Sequence, residues 1–563
     1  DFDYERKRFK ERIYVGVLSK DEPSPLAPLN DEEKPEGENS AKDKKKKKGK
    51  GAEEKEGVKI KSIDAEGFAD RVVALPIKPG RYYGLTAVED GICYINEDKE
   101  LKLFNLKDRE EKILVKGISN YQVSAKGKKF IYKKGDDYFI AELRPNADNG
   151  KGKLDLSKME MRIDPRKEWR QIYFDAWRIM RDWFYDPGMH HVDWDKMRDK
   201  YAVLLPYVAH RGDLDFLLGE LIGELNCGHT YVFSGDMPEV ERVPVGLLGC
   251  ELIADGKYYR IKKIFRGENW DESTRSPLTE PGINVKEGEY IIAIDGHEVT
   301  TDENPYRYLE NKVGVQVTLT INSKPSRKGA REVVVTPIKS ELKLRYLDWV
   351  EHNRQYVDRL SGGRIGYIHV PDTHFEGFRE FFKAFQPLMT KDALIIDDRY
   401  NGGGHSPYQM VQIMGNRIFN YWATRSSELY PTPFPVNEGP KVMLINGLSS
   451  SGGDAFPYYF RKAGLGPLIG EKTWGGLVGY GYSPRFVDGG GLAVPGFAFV
   501  NTEEEWDVEA VGVEPDIYVF DDPTKIQAGI EPMLDKAVDY LLEQLKKHPP
   551  RKVKRPEGPD RSK

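Results

Sequence analysis

Residues 441–460 read KVMLINGLSSSGGDAFPYYF, and this stretch indicates the fold of the C-terminal half of the chain. An apolar run at 442–445 leads through a turn rich in glycine and serine into a helical run. A serine at such a strand-to-helix turn, here Ser451, has an exposed hydroxyl, and the N–H groups of the helix N-terminus can stabilise an oxyanion. The simpler alternative is that Ser451 only caps the helix.

A second glycine-rich turn follows another apolar run, in residues 392–406, DALIIDDRYNGGGHS. In an open α/β sheet, ligands bind beyond the carboxyl ends of the strands, so turns at two such ends can face one pocket. The N–H groups of Gly404 and Gly452 would then form an oxyanion hole. Neither turn matches the nucleotide-binding patterns G-x-x-x-x-G-K-[ST] or G-x-G-x-x-G.

A serine nucleophile needs a base, and the base usually needs a group that orients it. The chain has ten histidines. His229, in LNCGHTYV, lies between a predicted helix and a predicted strand, where a loop can present a functional side chain. The residue pattern alone leaves His369, His374 and His405 open as alternatives.

The rest of the sequence predicts a multidomain α+β protein. Short apolar runs with turn residues between them fill 58–147 and fit the last blades of a β-propeller. A helical pattern covers 166–186, and alternating β and α patterns over 341–520 indicate an α/β core. The predicted divisions are 1–155, the C-terminal blades of a β-propeller; 156–236, a small helical domain; 237–340, a PDZ-like domain; 341–545, the α/β core; and 546–563, a disordered tail.

The predicted PDZ-like domain rests on two short segments. Residues 288–296, GEYIIAIDG, resemble the PDZ signature GD-x-I-x-x-I-N/D-G, and residues 245–249, VGLLG, then take the place of a carboxylate-binding loop. Such a loop offers a run of backbone N–H groups and a free strand edge to a peptide. The alternative is a small β-barrel that serves only packing.

Composition argues against several classes of function. A formal net charge of −5 over 563 residues gives no reason to expect nucleic acid or an acidic membrane as a partner. The sequence has no run of 18 apolar residues, so it predicts no membrane-spanning helix. The three cysteines form neither a metal-ligand spacing nor an even disulfide framework. Residues 21–57 are so polar that we expect a disordered loop, in which the lysine run 44–48 is either solvated or an anion-docking patch.

The N-terminal sequence bears on location. The chain begins with Asp1 and shows no hydrophobic leader, and its predicted blades are too few to close a propeller, so we expect it to start inside a longer protein. We expect a cytoplasmic location. A periplasmic or secreted location is the alternative if a signal peptide precedes residue 1.

Four motifs together resemble one family. They are NGGG at 401–404, SGGD at 451–454, GEKTWGGLVGY at 470–480 and VEAVGVEPDI at 508–517. With the order helical domain, PDZ domain and α/β core, they are similar to the tricorn-like members of the C-terminal processing, or tail-specific, serine peptidases. The resemblance runs over roughly residues 160–545, and the preceding β segment is similar to the end of a propeller in that family.

The resemblance implies a role for each matching residue. It makes Ser451 the nucleophile and His229 the general base. The N–H groups of Gly404 and Gly452 become the oxyanion hole. Glu509 matches the acidic member of the family's catalytic tetrad, which acts on the histidine through a serine hydroxyl.

Two positions depart from the family pattern. The family has a serine just before the catalytic histidine, where this chain has Gly228, so part of the relay from the acidic residue to the base is missing or is supplied by another group. Ungapped counting from NGGG places Trp422 where the family has an acidic residue in its P1 pocket. We therefore expect Trp422 and Gly403 to contact substrate, and the P1 preference to be apolar or aromatic.

The sequence thus predicts a serine peptidase, with 341–545 as its peptidase core, that cleaves peptides or unfolded polypeptides through an acyl-enzyme. The resemblance implies a homo-oligomer, and we expect no metal, organic cofactor, nucleic acid or membrane partner. Two alternatives stay open. One is a catalytically impaired peptide-binding scaffold that uses the PDZ and propeller domains, and the other is an acyl hydrolase that acts on esters.

Overall fold

The structure, a computed structural model, describes residues 11–27, 62–89, 91–147, 150–405, 407–426, 428–550 and 553–562. The lysine run 44–48 and most of the predicted loop 21–57 lie outside the described residues. The chain divides into two compact units, residues 1–162 and residues 163–563. No helix in the described ranges is long and apolar enough to cross a membrane.

The first unit is built of antiparallel strands, which are β1 (Tyr14–Gly16), β2 (Val72–Ala74), β3 (Tyr82–Val88), β4 (Gly91–Asn96), β5 (Glu100–Asn105), β6 (Glu110–Lys116), β7 (Asn120–Val123), β8 (Lys129–Lys134) and β9 (Asp137–Glu142). They pair into the sheets β1-β2, β3-β4-β5-β6 and β7-β8-β9. Leu101, Leu114 and Phe130, from the two larger sheets, share one buried cluster. This meander order fits propeller blades, and the propeller itself stays a prediction.

Three helices open the second unit: α1 (Pro165–Trp183), α2 (Trp194–Ala202) and α3 (Arg211–Gly223). α1 starts with Pro165 after Asp164, whose carboxylate accepts a hydrogen bond from the backbone N–H of Lys167. The indole N–H groups of Trp177 and Trp194 each donate to the other's carbonyl, at 2.9 and 3.1 Å, and so join α1 to α2. The helical pattern predicted over 166–186 therefore corresponds to α1, whose aromatic residues pack into a helical core.

A PDZ-like sheet follows β10 (Tyr231–Phe233), and its strands are β11 (Cys250–Asp255), β12 (Tyr258–Ile264), β13 (Tyr290–Ile294), β14 (His297–Glu298), β15 (Val317–Asn322) and β16 (Arg331–Val335). The order is β11-β12-β13-β15-β16, with β14 paired to β13, so β11 and β16 are the sheet edges among the described strands. The GEYIIAIDG segment supplies β13 and the turn after it. Ile291, Val317 and Leu319 lie in the buried cluster of this sheet.

The α/β core is a parallel sheet in the order β17 (Ile365–His369), β18 (Ala393–Asp397), β21 (Lys441–Ile445), β22 (Leu468–Gly470) and β26 (Ile517–Tyr518). Its first four strands are buried along their whole length, as expected for strands covered on both faces. One face packs against α4 (Leu342–Ser361) and α9 (Pro532–Lys547). The other packs against α5 (Phe375–Leu388), α6 (Pro407–Met414) and α7 (Gly452–Lys462).

Shorter elements complete the second unit: β19 (Asn420–Trp422), β20 (Tyr430–Thr432), β23 (Gly479–Tyr480), β24 (Gly491–Ala493), β25 (Pro495–Phe497) and α8 (Pro523–Gln527). β19 pairs with β20, and β23 pairs with β25. β10 pairs with β24 in antiparallel register, which ties the segment after α3 to a hairpin of the α/β core. This pairing positions the loop that carries His229.

Candidate active site

The two glycine-rich turns follow the carboxyl ends of two neighbouring strands of the parallel sheet. β18 and β21 are hydrogen-bonded neighbours that run in the same direction, so the segments after them begin side by side. The backbone N–H of Ser450 donates to the carbonyl of Asn401 at 2.9 Å, which joins one turn to the other. The side chain of Asn401 also accepts from the N–H of Gly403 at 2.8 Å.

Ser451 stands at the N-terminus of α7 in a strained backbone conformation, with φ 57° and ψ −113°. A positive φ is uncommon for a residue with a Cβ and persists only where the surroundings hold it. Here the backbone N–H of Ser451 donates to the carboxylate of Asp454 at 2.6 Å. That carboxylate also accepts from the N–H groups of Gly475 at 2.7 Å and Gly476 at 3.2 Å.

Asp454 thus joins the turn that carries Ser451 to the loop at 473–479. Its side chain is fully buried, and burial raises the pKa of its carboxyl against the opposing hydrogen bonds from Thr473 and the three amides. Sequence reasoning did not single out Asp454, although serine followed three positions later by an acidic residue is a capping-box pattern.

The backbones of Gly404 and Gly452 lie against each other. A Cβ placed on Gly452 would lie 2.5 Å from the nitrogen of Gly404 and 2.1 Å from Thr373 Oγ1. Gly404 has φ 144°, and a Cβ there would lie 2.3 Å from the carbonyl carbon of Thr373. Both positions therefore require glycine, and neither N–H donates to another residue that the structure describes.

Gly403 lies directly against Ser451. Its φ is 88°, and a Cβ placed on it would lie 2.7 Å from the Cβ of Ser451 and 3.0 Å from the nitrogen of Gly452. The turn after β18 thereby contacts the turn after β21 through backbone atoms. Its part in binding substrate stays a prediction.

His229 lines the same cavity as Ser451 and also has a positive φ, of 56°. Its Nδ1 lies 2.9 Å from the hydroxyl of Tyr231, and the rings of Trp474 and Tyr480 lie edge-on to it, each 5.7 Å away between centroids. Burial lowers the pKa of His229, and the negative charge of Glu509 opposes that shift. The imidazole is therefore neutral near pH 7, as a general base must be.

Within the described residues, no hydrogen bond joins the hydroxyl of Ser451 to the imidazole of His229. Catalytic hydrogen bonds are commonly long in substrate-free enzymes and tighten in the Michaelis complex. The structure brings the two groups to one cavity.

Glu509 binds the backbone of the residue before His229 rather than the imidazole ring. One carboxylate oxygen accepts from the N–H of Gly228 at 2.6 Å, and the other accepts from the N–H of Leu477 at 2.6 Å. A Cβ placed on Gly228 would lie 3.1 Å from that carboxylate and 3.0 Å from the Cα of Gly476. The absence of a side chain at 228 thus lets Glu509 hold the loop directly beside His229.

The cavity has a volume of about 490 Å³. Three of its lining residues are His229, His374 and His405, and the rest of the described lining contains no aspartate, glutamate, lysine or arginine. Much of the wall is apolar or aromatic, from Pro407, Tyr408, Ala455, Tyr459, Leu477, Val478, Tyr480, Phe497, Ala498 and Phe499. These positions come from elements far apart in sequence, and local patterns did not single them out.

Trp422 does not belong to the described lining of this cavity. It lies on β19, is 56% exposed, and donates its indole N–H to Thr432 Oγ1 at 2.8 Å. Its part in substrate binding stays a prediction.

Comparison with known families finds three matches along the second unit. Residues 165–223 match the tricorn protease C1 domain, residues 246–340 match the tricorn protease PDZ domain, and residues 364–519 match peptidase family S41. Ser451, Gly404 and Glu509 lie within the S41 match, whereas His229 lies between the other two. The site is therefore assembled from more than one matched region.

Curated relatives and a solved structure agree with these matches. The chain is 33% identical over 505 residues to a putative tricorn-like protease C-terminal subunit of Sulfurisphaera tokodaii, covering 86% of this chain and 58% of that one. It is 34% identical over 516 residues to tricorn protease homolog 1 of Streptomyces coelicolor, covering 86% and 48%. The crystal structure of the tricorn protease superposes with a TM-score of 0.79 at 28% identity, covering 87% of this chain and 49% of that chain.

This chain therefore spans about half the length of the curated relatives it matches. The matched order of C1, PDZ and S41 regions is the order that the fold shows from α1 to β26. The chain is a tricorn protease homologue of the C-terminal processing peptidase superfamily, and it carries a PDZ domain.

Proposed function

We propose that this chain is a serine peptidase that cleaves peptides or unfolded polypeptides through an acyl-enzyme. One observation carries the proposal: the hydroxyl of Ser451, the imidazole of His229 and the backbone of Gly404 and Gly452 line a single cavity. The S41 match and the tricorn relatives support a peptidase rather than an impaired peptide-binding scaffold.

The arrangement fits acyl transfer. Ser451 Oγ attacks the scissile carbonyl while His229 takes its proton, and the carbonyl oxygen becomes an oxyanion between the N–H groups of Gly404 and Gly452. The protonated imidazole then gives its proton to the leaving amine. Water repeats the sequence on the acyl-enzyme and releases the second product.

Two carboxylates hold the backbone around this chemistry. Asp454 fixes the strained Ser451 through its N–H, and Glu509 fixes Gly228, the neighbour of His229. Neither carboxylate touches the reacting atoms in this arrangement. Their proposed contribution is preorganisation, since displacement of a catalytic group by about 1 Å can cost roughly a hundredfold in rate.

The cavity wall supports an apolar or aromatic P1 residue. Phe497, Phe499 and Leu477 offer apolar surface near the nucleophile, and the described lining holds no carboxylate to pair with a basic side chain. Steady-state rates on matched peptides with Phe, Leu, Lys or Asp at P1 test this preference. A Lys peptide with the highest kcat/KM would contradict it.

A fluorophosphonate probe tests the function itself. Wild type should be labelled at Ser451, and Ser451→Ala should lose both the label and peptide hydrolysis, by roughly 10⁴–10⁶ in kcat. Ser450→Ala is the matched control, because Ser450 donates its hydroxyl to the carbonyl of Asn401 at 3.3 Å and should keep the label. Equal labelling of Ser451→Ala, or turnover of esters without amides, would contradict the proposal.

The family resemblance also supports a homo-oligomer, and it supports propeller blades in the first unit. Light scattering of the purified chain measures the oligomer directly, and a monomer at micromolar concentration would contradict that part of the proposal.

A further inference from the structure

The imidazole of His229 has one hydrogen-bonding partner among the described residues, the hydroxyl of Tyr231 at 2.9 Å. A catalytic histidine needs a group on its second nitrogen that fixes the ring's orientation and tautomer. Glu509 makes no hydrogen bond to the ring in the described part of the chain; its two oxygens accept from the N–H groups of Gly228 and Leu477.

We propose that Tyr231 is the positioning residue of the catalytic histidine, and that its phenol oxygen accepts the Nδ1–H of His229 and leaves Nε2 bare to receive the proton of Ser451. The proposal rests on the proposed peptidase function. It compensates for the absence of a hydroxyl at Gly228, because the hydroxyl that bonds the ring comes from Tyr231, two residues after His229.

Three observations support this role. Burial raises the pKa of Tyr231, so its hydroxyl stays neutral and can accept a hydrogen bond from Nδ1–H. β10 holds the residue in place, since Tyr231 pairs with Ala493 of β24. When His229 takes the proton of Ser451, the same phenol oxygen stabilises the imidazolium by accepting from Nδ1–H.

Tyr231→Phe tests the proposal against a matched variant, Tyr480→Phe. Both rings lie edge-on to His229, at 5.8 and 5.7 Å between centroids, but only the hydroxyl of Tyr231 bonds the imidazole. Tyr231→Phe should lower kcat by roughly tenfold with little change in KM. It should also move the acid limb of the kcat/KM profile to lower pH, because the imidazolium loses an acceptor.

Tyr480→Phe should leave that acid limb in place, whatever it does to KM. Equal acid limbs in wild type and Tyr231→Phe would overturn the proposal.

A second measurement needs no turnover. It is histidine-ring NMR of ¹⁵N-histidine-labelled Ser451→Ala protein, in which the His229 signal is identified by its loss in His229→Ala. The tautomer with its proton on Nδ1 should dominate in the protein with Tyr231 but not in Tyr231→Phe. A dominant Nε2–H tautomer in both proteins would overturn the proposal. The absence of any peptidase activity in the wild-type protein would instead refute the proposed function.

A different observation carries a second inference, at the PDZ-like sheet. The segment 245–249 was predicted to present free backbone N–H groups to a peptide. In the structure, a carboxylate oxygen of Glu341 accepts from the N–H of Gly249 at 2.9 Å and from that of Cys250 at 3.3 Å. Glu341 is 6% exposed and follows the PDZ match directly at the start of α4.

The neighbouring backbone groups of this loop are occupied as well. Leu247 donates to and accepts from Ile338, at 2.8 and 2.9 Å, and the N–H of Gly246 donates to the carbonyl of Leu309 at 2.8 Å. Arg345, one turn into α4, donates to the second oxygen of Glu341 at 2.8 and 3.2 Å. The chain thus supplies both a strand-like pairing and a carboxylate, the two things that a peptide brings to a PDZ loop.

We infer that Glu341 is an intramolecular ligand of this carboxylate-binding loop, and that it closes the loop to external peptide C-termini while it joins the PDZ-like domain to α4. This inference does not depend on peptidase activity. The ligand class of the loop is a carboxylate, and in this state the carboxylate comes from the same chain.

Chemical rescue tests the assignment. Glu341→Ala should lower the melting temperature by several degrees, and acetate should raise it again in a saturable way that acetamide does not reproduce. Glu332→Ala is the matched control, since Glu332 is an exposed carboxylate on β16 and should respond to acetate as wild type does. Equal acetate responses in all three proteins would overturn the inference.

Peptide binding tests the closed state. In a Ser451→Ala background, a fluorescent pool of peptides with free C-termini should bind Glu341→Ala more tightly than its amidated counterpart, and the chain with Glu341 should not distinguish the two pools. If Glu341→Ala does not fold, hydrogen exchange of the Gly249 and Cys250 amides in wild type decides. Slow exchange supports the inference, and exchange at the rate of a free loop, or carboxylate-dependent binding with Glu341 present, would overturn it.

Discussion

Two places in this molecule present adjacent backbone N–H groups, and they differ in what receives them. At the PDZ-like loop, the N–H groups of Gly249 and Cys250 donate to the buried carboxylate of Glu341. At the candidate active-site cavity, those of Gly404 and Gly452 donate to no described residue. A buried N–H without a partner costs about 1–3 kcal/mol, so a free pair persists only where solvent or substrate reaches it. The first pair therefore acts as a joint, which holds two parts of the chain together. The second pair acts as a receptor, which is free to bind a hydrogen-bond acceptor from outside the chain.

The acidic residues near the cavity show how the second pair is kept free. Asp454 and Glu509 both accept backbone N–H groups, but those of Ser451, Gly475, Gly476, Gly228 and Leu477. They tie loops together from behind the cavity, and neither side chain lines it. A carboxylate bound to the N–H groups of Gly404 and Gly452 would do there what Glu341 does at the PDZ-like loop, and would keep any other acceptor from binding them.

Gly452→Ala breaks this comparison with the largest expected effect. The new Cβ would lie 2.1 Å from Thr373 Oγ1 and 2.5 Å from the nitrogen of Gly404, so both N–H groups of the receptor must move. We expect kcat to fall by roughly 10²–10³, the usual cost of losing an oxyanion-hole donor. Steady-state hydrolysis of the best P1 peptide measures it, with the melting temperature recorded alongside.

The matched control for that variant is Gly481→Ala. Gly481 lies on an exposed stretch after β23, and a Cβ there would meet nothing within 4 Å. This variant should retain kcat within about twofold, as surface substitutions normally do. A Gly452→Ala enzyme with unaltered kcat would mean that the N–H pair does not hold the oxyanion.

Glu509→Gln is the second variant, of intermediate effect, and Glu341→Gln is its counterpart at the other loop. A glutamine keeps one acceptor oxygen and turns an NH₂ group toward an N–H that needs an acceptor, which costs about 1–3 kcal/mol at either site. Only Glu509→Gln loosens the backbone beside His229. We expect it to lower kcat/KM by roughly ten- to hundredfold.

The measurement is kcat/KM together with thermal unfolding for both variants. Both should melt at lower temperature than wild type, while the loss of kcat/KM should be much larger for Glu509→Gln. Equal catalytic losses would contradict the division between a joint and a receptor, because the two carboxylates would then support catalysis to the same extent.

The sequence predicted the two turns because their signals are local. The apolar runs at 393–396 and 442–445 are β18 and β21, and parallel neighbours must place their following turns at one edge. The closing helix α9, Pro532–Lys547, likewise carries a local signal, a proline at its first position. The periodic pattern of an amphipathic helix and the continuous apolar run of a buried parallel strand both lie within one short segment, so the sequence alone predicts them.

The contacts that complete the site are not local, and the residue pattern could not predict them. His229 reaches the cavity through the pairing of β10 with β24, strands separated by more than 250 positions in the chain. Four histidines stayed open on local grounds because nothing within LNCGHTYV encodes that pairing. Glu341 presented the same difficulty, since an acidic residue before a helix predicts only a favourable helix start, and its bond to Gly249 spans 92 positions.

The smallest expected effect is a pH dependence that belongs to the receptor region. Burial lowers the pKa of His229, so kcat/KM should fall on the acid side with a midpoint below about 6.5, the ordinary value for histidine. The same shift affects stability: the unfolded chain binds this proton at higher pH than the folded chain, so folding is weakened as pH drops below about 6.5. His229→Asn should remove that part of the pH dependence of the melting temperature. Glu509→Gln should move the acid limb to still lower pH, because the charge that raises the pKa of His229 is gone. A wild-type midpoint above 6.5 would mean that the negative charge of Glu509 outweighs burial at this imidazole. Glu509 would then raise the pKa of His229 as well as hold the loop beside it.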